Sequence, residues 1–174
     1  GIGWLGMAKI EEFLGAGGLL VTLGNGSTLP LEGGLVRDVH RRGGAFFTPG
    51  SELKVKFVRP DHPLAYGFGE TTSVFRSMMP VYDIARSDRA AVVLQWGTKL
   101  RAEDREEEKP DAAKTPDAAA AGATSAVAPK KDEPKMLVSG AIKGEDELEG
   151  RPAILDLPAG KGRVIAFLYN PIHR

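Results

Sequence analysis

Apolar residues follow three different periods along this chain, and each period predicts a different element. Trp4, Leu5, Met7, Ala8, Ile10, Phe13 and Leu14 recur at roughly helical spacing, with Lys9, Glu11 and Glu12 between them. An amphipathic helix is expected from about Gly3 to Leu14, and Gly15 to Gly18 supply its stop. Leu19 to Leu23 is then a short apolar run rich in branched residues, with glycines on both sides. That predicts a strand buried on both faces, as inside a parallel sheet. The polar turn Gly24-Asn25-Gly26-Ser27-Thr28 comes next, at its carboxyl end, where ligands sit in open α/β sheets. From Ser51 the period becomes two. Leu53, Val55 and Phe57 alternate with Lys54 and Lys56, the pattern of a half-exposed strand.

Between these stretches, Leu31, Leu35 and Val36 suggest one helical turn, interrupted by Gly33 and Gly34. Val39 to Gly44 is basic and glycine-ended and reads as a loop. Two prolines make Arg59 to Leu64 a turn or short extended segment. Ser73 to Phe75, Pro80 to Ile84, Ala90 to Trp96 and Met136 to Gly140 are further strand candidates. Glu145 to Gly150 is an acidic loop or single turn. Pro152 to Leu157 and Arg163 to Tyr169 are two strands joined by Pro158-Ala159-Gly160-Lys161-Gly162, whose turn chemistry predicts a hairpin. The fold class expected is α/β: a mostly parallel sheet flanked by helices and centred on Leu19 to Leu23, extended by an antiparallel C-terminal hairpin.

Composition changes this picture in one place. Residues 101–134 are rich in Ala, Pro, Glu and Lys and hold no aromatic residue. Such a stretch buries too little apolar surface to offset an ordering cost of roughly 1–2 kcal/mol per backbone residue. It is expected to be a disordered insertion, with residues 1–100 and 135–174 forming one domain around it. Among the 174 residues, 23 basic side chains balance 23 acidic ones, which argues against a nucleic-acid partner. No run is long or apolar enough to span a bilayer, so no membrane partner is expected either. The absence of cysteine removes disulfides, thiolate ligands and a cysteine nucleophile. Because the first residue is Gly1, within a helical pattern, the chain is expected to be a fragment of a longer one.

Candidate chemistry is sparse. His40, His62 and His173 are not paired with each other or with acidic residues at ligand spacing, so no metal site is expected. Ser27, on a glycine turn after a strand, has the position of a nucleophile. A serine hydrolase would need a base and an orienting acid, for which His173 and Glu32 are available. Gly-x-Ser-x-Gly is absent, however, and the plainer expectation is that Ser27 or Thr28 caps the next turn of the chain. Gly24, Asn25, Gly26, Ser27 and Thr28 are the candidate ligand-binding residues, for a small ligand or peptide at the strand ends. Arg37, His40, Arg41 and Arg42 form a basic patch that suits an anion or a solvated loop. Trp4 and Trp96 sit in apolar patterns and are expected in the core, although exposed they would suit a carbohydrate platform.

Several stretches taken together resemble a known family. They are Gly3-Trp4-Leu5-Gly6 with Phe13-Leu14, the run Gly17 to Gly24, Thr71 to Arg76, Gly144 to Gly150, and the close from Gly162 to Phe167 and Asn170 to Arg174. They are similar to the C-terminal, class I glutamine amidotransferase-like region of bacterial zinc carboxypeptidase proteins of the carboxypeptidase A type. The resemblance implies a glutamine amidotransferase-like (flavodoxin-like) sheet whose first strands precede Gly1, and a covalently attached peptidase domain as partner. It also implies zinc held by that domain rather than by this chain, and a secreted or periplasmic setting. Amidotransferase chemistry uses a cysteine that this chain lacks. The function expected is therefore a non-catalytic accessory domain. The alternatives are a hydrolase using Ser27 and a small-ligand or carbohydrate-binding module.

Overall fold

A computed structural model describes residues 1–99, 101 and 135–172. Helix α1 (Gly3–Gly15) leads into strand β1 (Leu19–Leu23), a 3-10 turn (Gly24–Ser27) and the short helix α2 (Thr28–Glu32). Then come β2 (Val39–Arg42), β3 (Ser51–Phe57), β4 (Thr71–Arg76), β5 (Val81–Ile84) and β6 (Val92–Trp96). After residue 135 come β7 (Leu137–Ser139), the one-turn helix α3 (Glu145–Leu148), β8 (Pro152–Ala159) and β9 (Gly162–Phe167). The main sheet has the order β1-β9-β8-β6-β3-β4, with β7 also paired to β3, and β2 and β5 form a separate ribbon. Strands from both sides of residues 102–134 thus share one sheet.

The α/β class is observed, but the sheet is mostly antiparallel rather than mostly parallel. Only β1 and β9 run parallel; β3 pairs antiparallel with β4, β6 and β7, and β8 pairs antiparallel with β6 and β9. Chain connectivity gives the reason. An antiparallel pair can close through a tight turn, whereas a parallel pair needs a crossover of a dozen or more residues. The expected C-terminal hairpin closes in this way: Ala159 faces Gly162 across Gly160 and Lys161, with Gly160 at φ +60°. A glycine at the first central position suits a two-residue hairpin turn.

Nor is β1 the centre of the sheet. It is an edge strand, and the strands buried along nearly all their length are β8 and β6. Leu155, Leu157 and Ala159 of β8 join one core cluster with Leu14, Leu31, Tyr82, Val164 and Ala166. Ala153 and Ile154 join a second with Leu53, Val55, Leu94 and Trp96. The alternation predicted for β3 holds residue by residue, with Leu53, Val55 and Phe57 buried and the lysines between them half-buried. Residues 39–42, expected as a loop, form β2 against β5, because Val39 is buried in the first cluster while His40 and Arg41 face solvent.

Two features bind these layers. Asp83 of β5 accepts hydrogen bonds from Arg101, at 2.7 Å, and from Arg151, which ties the ribbon to the ends of β6 and β8. Arg101 therefore belongs to the folded part, although composition placed it in the insertion. The expected disorder of residues 102–134 lies outside the described residues. The second feature is a close backbone approach where the hairpin meets the end of α1. A Cβ on Gly162 would stand 2.6 Å from the carbonyl oxygen of Leu14 and closer still to that of Gly18.

That approach generates a prediction. Gly162→Ala pushes a methyl group into two fixed carbonyls and is expected to destabilise the chain by about 1–3 kcal/mol. Gly26 has open space around its Cβ position and no positive φ. Gly26→Ala should therefore change stability by less than about 1 kcal/mol. Urea unfolding of the two variants checks the contrast.

Candidate functional site

The turn after β1 is built by backbone and hydroxyl bonds to the strand beside it. Gly24 takes φ +54°, and its N–H donates to the Tyr169 carbonyl at 3.0 Å. Ser27 is fully buried; its hydroxyl donates to the Phe167 carbonyl at 3.0 Å and lies 3.1 Å from the Thr22 hydroxyl, which donates to it. Ser27 thus clamps the turn to β9, and the side-chain cap on α2 expected from the sequence is not made. Thr28 donates locally to the Asn25 carbonyl at 2.8 Å. A nucleophile must meet substrate, and the Ser27 hydroxyl is buried and committed to two protein oxygens. Glu32, its candidate acid, instead accepts from the Tyr82 hydroxyl at 2.6 Å and faces Arg41 at 3.5 Å. Burial, and the hydrogen bond to Glu32, push the Tyr82 hydroxyl well above its usual range. His173, the candidate base, lies outside the described residues.

Beside the turn is an open pocket of about 560 Å³, whose lining includes Asn25, Thr28, Arg41, Arg42, Phe46 and Thr48. In the sequence the turn and the basic patch are separate candidates. The antiparallel β2–β5 ribbon brings Arg41 and Arg42 of the patch to the turn, while Arg37 lines a different cavity. Arg42 donates to Glu147 at 3.1 Å. What the sequence did not indicate is Arg76, the last residue of β4, which is fully buried. Its guanidinium donates to the Thr48 hydroxyl, the Ser77 carbonyl at 3.2 Å and the Met79 carbonyl at 2.5 Å. It also lies 5.4 Å from the centre of the Phe46 ring and 5.5 Å from that of Trp96. Alternation along β4 was the one available sign, and it does not say that a charged residue turns inward.

A second polar network lies at the opposite end of the sheet. Asp156 of β8 has its carboxylate buried; it faces His62 Nε2 at 2.9 Å and accepts from Arg163 Nε at 2.9 Å and from a second Arg163 nitrogen. Burial alone would raise the Asp156 pKa; hydrogen bonds from Arg163 and His62 and the Arg163 charge outweigh it and hold the carboxyl below its usual range. His62 Nδ1 accepts from the Leu64 N–H at 3.2 Å. Both ring nitrogens are thereby engaged, Nε2 with Asp156, and the pair cross-links the turn at His62 to β8. Arg163 and Asp156 also line an open cavity of about 1040 Å³. Among the described residues, no three His, Asp or Glu side chains come together as a metal-holding group.

The third feature is apolar. Met7 and Ile10 of α1 are half-buried and Leu14 is buried. Trp4, expected in the core, is instead 92% exposed, and Leu5 and Phe13 are exposed too. On β1, Leu20 packs on the first core cluster beside Val164 and Ala166. Leu19, Val21 and Leu23 alternate to the other face, beside Arg163, Ile165 and Phe167, and are 53%, 49% and 39% exposed. Among the described residues, β1 pairs only with β9, leaving its second edge open. The Gly18 carbonyl and Gly24 N–H bond toward β9, so by alternation the backbone groups of Leu19, Val21 and Leu23 point to the open edge.

The chain matches no family model, no curated protein and no solved structure.

Two predictions test the hydrogen-bonded ends of the sheet. Ser27→Ala leaves the buried Phe167 carbonyl without its hydroxyl donor and is expected to cost about 1–3 kcal/mol, measured by chemical denaturation. Asp156 has a lowered pKa when folded, so its contribution to stability is complete above the usual carboxylate pKa of about 4 and disappears as pH falls through the folded value. Acid unfolding followed by circular dichroism should accordingly depend less steeply on pH below about pH 4 in Asp156→Asn than in the wild type.

Proposed function

We propose that this chain is a non-catalytic accessory domain of a zinc carboxypeptidase-like protein, and that it docks on the peptidase domain through the face formed by β1. The observation that carries the docking is the apolar, open edge strand. Folded proteins blunt such edges with charge, proline, bulges or a covering element. β1 carries Leu19, Leu20, Val21, Thr22 and Leu23 and has none of the first two. Its exposed apolar side chains lie next to Ile165 and Phe167, which are only half-buried. Trp4, Leu5 and Phe13 of α1 add exposed apolar surface, and Phe13 lies beside Gly18 at the start of β1. Exposed and half-buried apolar side chains in a row, as on Leu19, Val21, Leu23, Ile165 and Phe167, mark a surface that another element covers.

The zinc carboxypeptidase part of the proposal rests on the motifs that run from Gly3-Trp4-Leu5-Gly6 to the Asn170-Pro171-Ile172-His173-Arg174 close. Zinc is assigned to the peptidase domain by the same resemblance, and the two histidines among the described residues are not gathered for it. His40 stands exposed on β2, and His62 is committed to Asp156 and the Leu64 N–H. The role of this domain is then to support or bind for its neighbour, with the attached domain adding a strand or layer to the β1 edge.

Hydrogen exchange tests this directly. The amides of Leu19, Val21 and Leu23 should exchange fast in the isolated chain and slowly when it is joined to the peptidase domain. Val21→Lys should remove that protection and shift the stability of the isolated chain by no more than about 0.5 kcal/mol, the usual scale for an exposed position. Equal exchange in the isolated and joined forms would overturn the docking.

A further inference from the structure

The pocket beside the turn that follows β1 carries a charge arrangement that the proposed docking face does not explain. Among the described residues that line it, none is acidic, whereas Arg41 and Arg42 are basic. Of the nearby carboxylates, Glu147 and Asp83 face Arg42, and Glu32 lies 3.5 Å from the exposed Arg41. Among the described residues, Arg76 faces no carboxylate. Its hydrogen-bond partners Thr48, Ser77 and Met79 all offer neutral oxygens, and its buried Nε has no hydrogen-bond partner.

A buried guanidinium is costly to hold without a counter-charge. Burial lowers the Arg76 pKa to about 10, which still leaves it charged at neutral pH. Its position relative to the pocket gives that charge a use. Thr48 accepts from Arg76 through its hydroxyl, Met79 accepts through its carbonyl, and the Phe46 ring packs against the guanidinium; all three residues line the pocket. Arg76 therefore stands directly behind the pocket wall. A fixed charge in a partly desolvated wall acts on an occupant more strongly than one in water. The rest of the wall is apolar or uncharged: Phe46, Phe47 and Met79 on one side, Asn25 and Thr28 on the other. A volume of about 560 Å³ lies in the range of small-molecule sites, and the turn after β1 that lines it follows the carboxyl end of a strand, where ligands bind in open α/β sheets.

We propose that this pocket binds a small organic oxyanion, a phosphate or carboxylate on an apolar or aromatic body. Arg41 meets the anion at the lip, Arg76 is the buried counter-charge behind the wall, and Phe46, Phe47 and Met79 receive the apolar body. The site is independent of the docking proposal, because it uses none of the side chains of the β1 face.

The test is calorimetric titration of the 174-residue chain, at low salt, with phenyl phosphate, benzoate, inorganic phosphate and benzyl alcohol. Saturable binding of phenyl phosphate or benzoate is expected, with inorganic phosphate at least about fivefold weaker and benzyl alcohol showing none. Whichever of the two aromatic anions binds tighter identifies the head group. Arg41 is exposed, so Arg41→Gln should fold normally and weaken the aromatic anion by about five- to tenfold. Amide shifts at Asn25 and Thr48 should track the same isotherm. Arg76→Met, where it folds, should abolish binding; because that variant can fail to fold, the Arg41→Gln comparison decides. Absence of saturable binding by both aromatic anions, an unchanged affinity in Arg41→Gln, or equal binding of benzyl alcohol would each overturn the proposal.

Discussion

Strand β8 has to be covered from both sides, and the rest of the structure depends on that requirement. Six consecutive residues from Pro152 to Leu157 are buried, so their side chains need a packed layer on each side of the strand. One cluster gathers α1, α2, the β2–β5 ribbon and β9 around Leu155 and Leu157. The other gathers β3, β6, α3 and the turn at Ala65 around Ala153 and Ile154. Each layer is thin and drawn from distant parts of the chain. Apolar burial of this kind contributes about 25 cal/mol per Å², so the strands in the middle of the order gain most and β1, at its end, gains least.

Among the charges that the described residues bring into this core, two carboxylates are met by partners of opposite charge and one guanidinium is not. Asp83 is paired with arginines from two other segments, and Asp156 with His62 and Arg163. Asp83 links β5 to segments with which it shares no backbone ladder, and Asp156 links β8 to the turn at His62 as well as to its ladder neighbour β9. Arg76 is held by hydroxyl and carbonyl oxygens and two aromatic rings. Neutral oxygens solvate a guanidinium but do not cancel its charge, so a positive field remains at the wall behind the turn. Polar chemistry thereby collects at the two ends of the sheet, and the middle stays apolar.

The exposed face of β1 has a different physical origin. β1 is anchored by its ladder to β9 and by Ser27 and Gly24 bonding onto the end of β9 and the chain just after it. One of its faces is covered by the cluster that contains Leu14 and Ile10 of α1, and the other is open. A strand can hold its place through one ladder and one face and still present apolar side chains. That leaves the second edge and the second face available to an added layer without any rearrangement of the chain.

The sequence by itself determined the local elements. Alternation placed β3, glycine and turn chemistry placed the hairpin of β8 and β9, and helical spacing placed α1, because period and turn preference are properties of neighbouring residues. It also pointed to the turn at Gly24 to Thr28 and to the basic residues Arg41 and Arg42, though not to their meeting. Tertiary structure alone decided the rest. A run such as Leu19 to Leu23 says that side chains are apolar, not how many layers exist to cover them, so a strand expected at the centre lies at the edge. The sheet is mostly antiparallel because strands far apart in sequence choose their neighbours through packing and connection length, neither of which is written in a local pattern. Trp4 and Trp96 sit in similar apolar contexts, yet one is exposed and the other buried. Arg76, which the local pattern does not distinguish from a surface arginine, is enclosed because Thr48, Met79, Phe46 and Trp96 converge on it from separate segments.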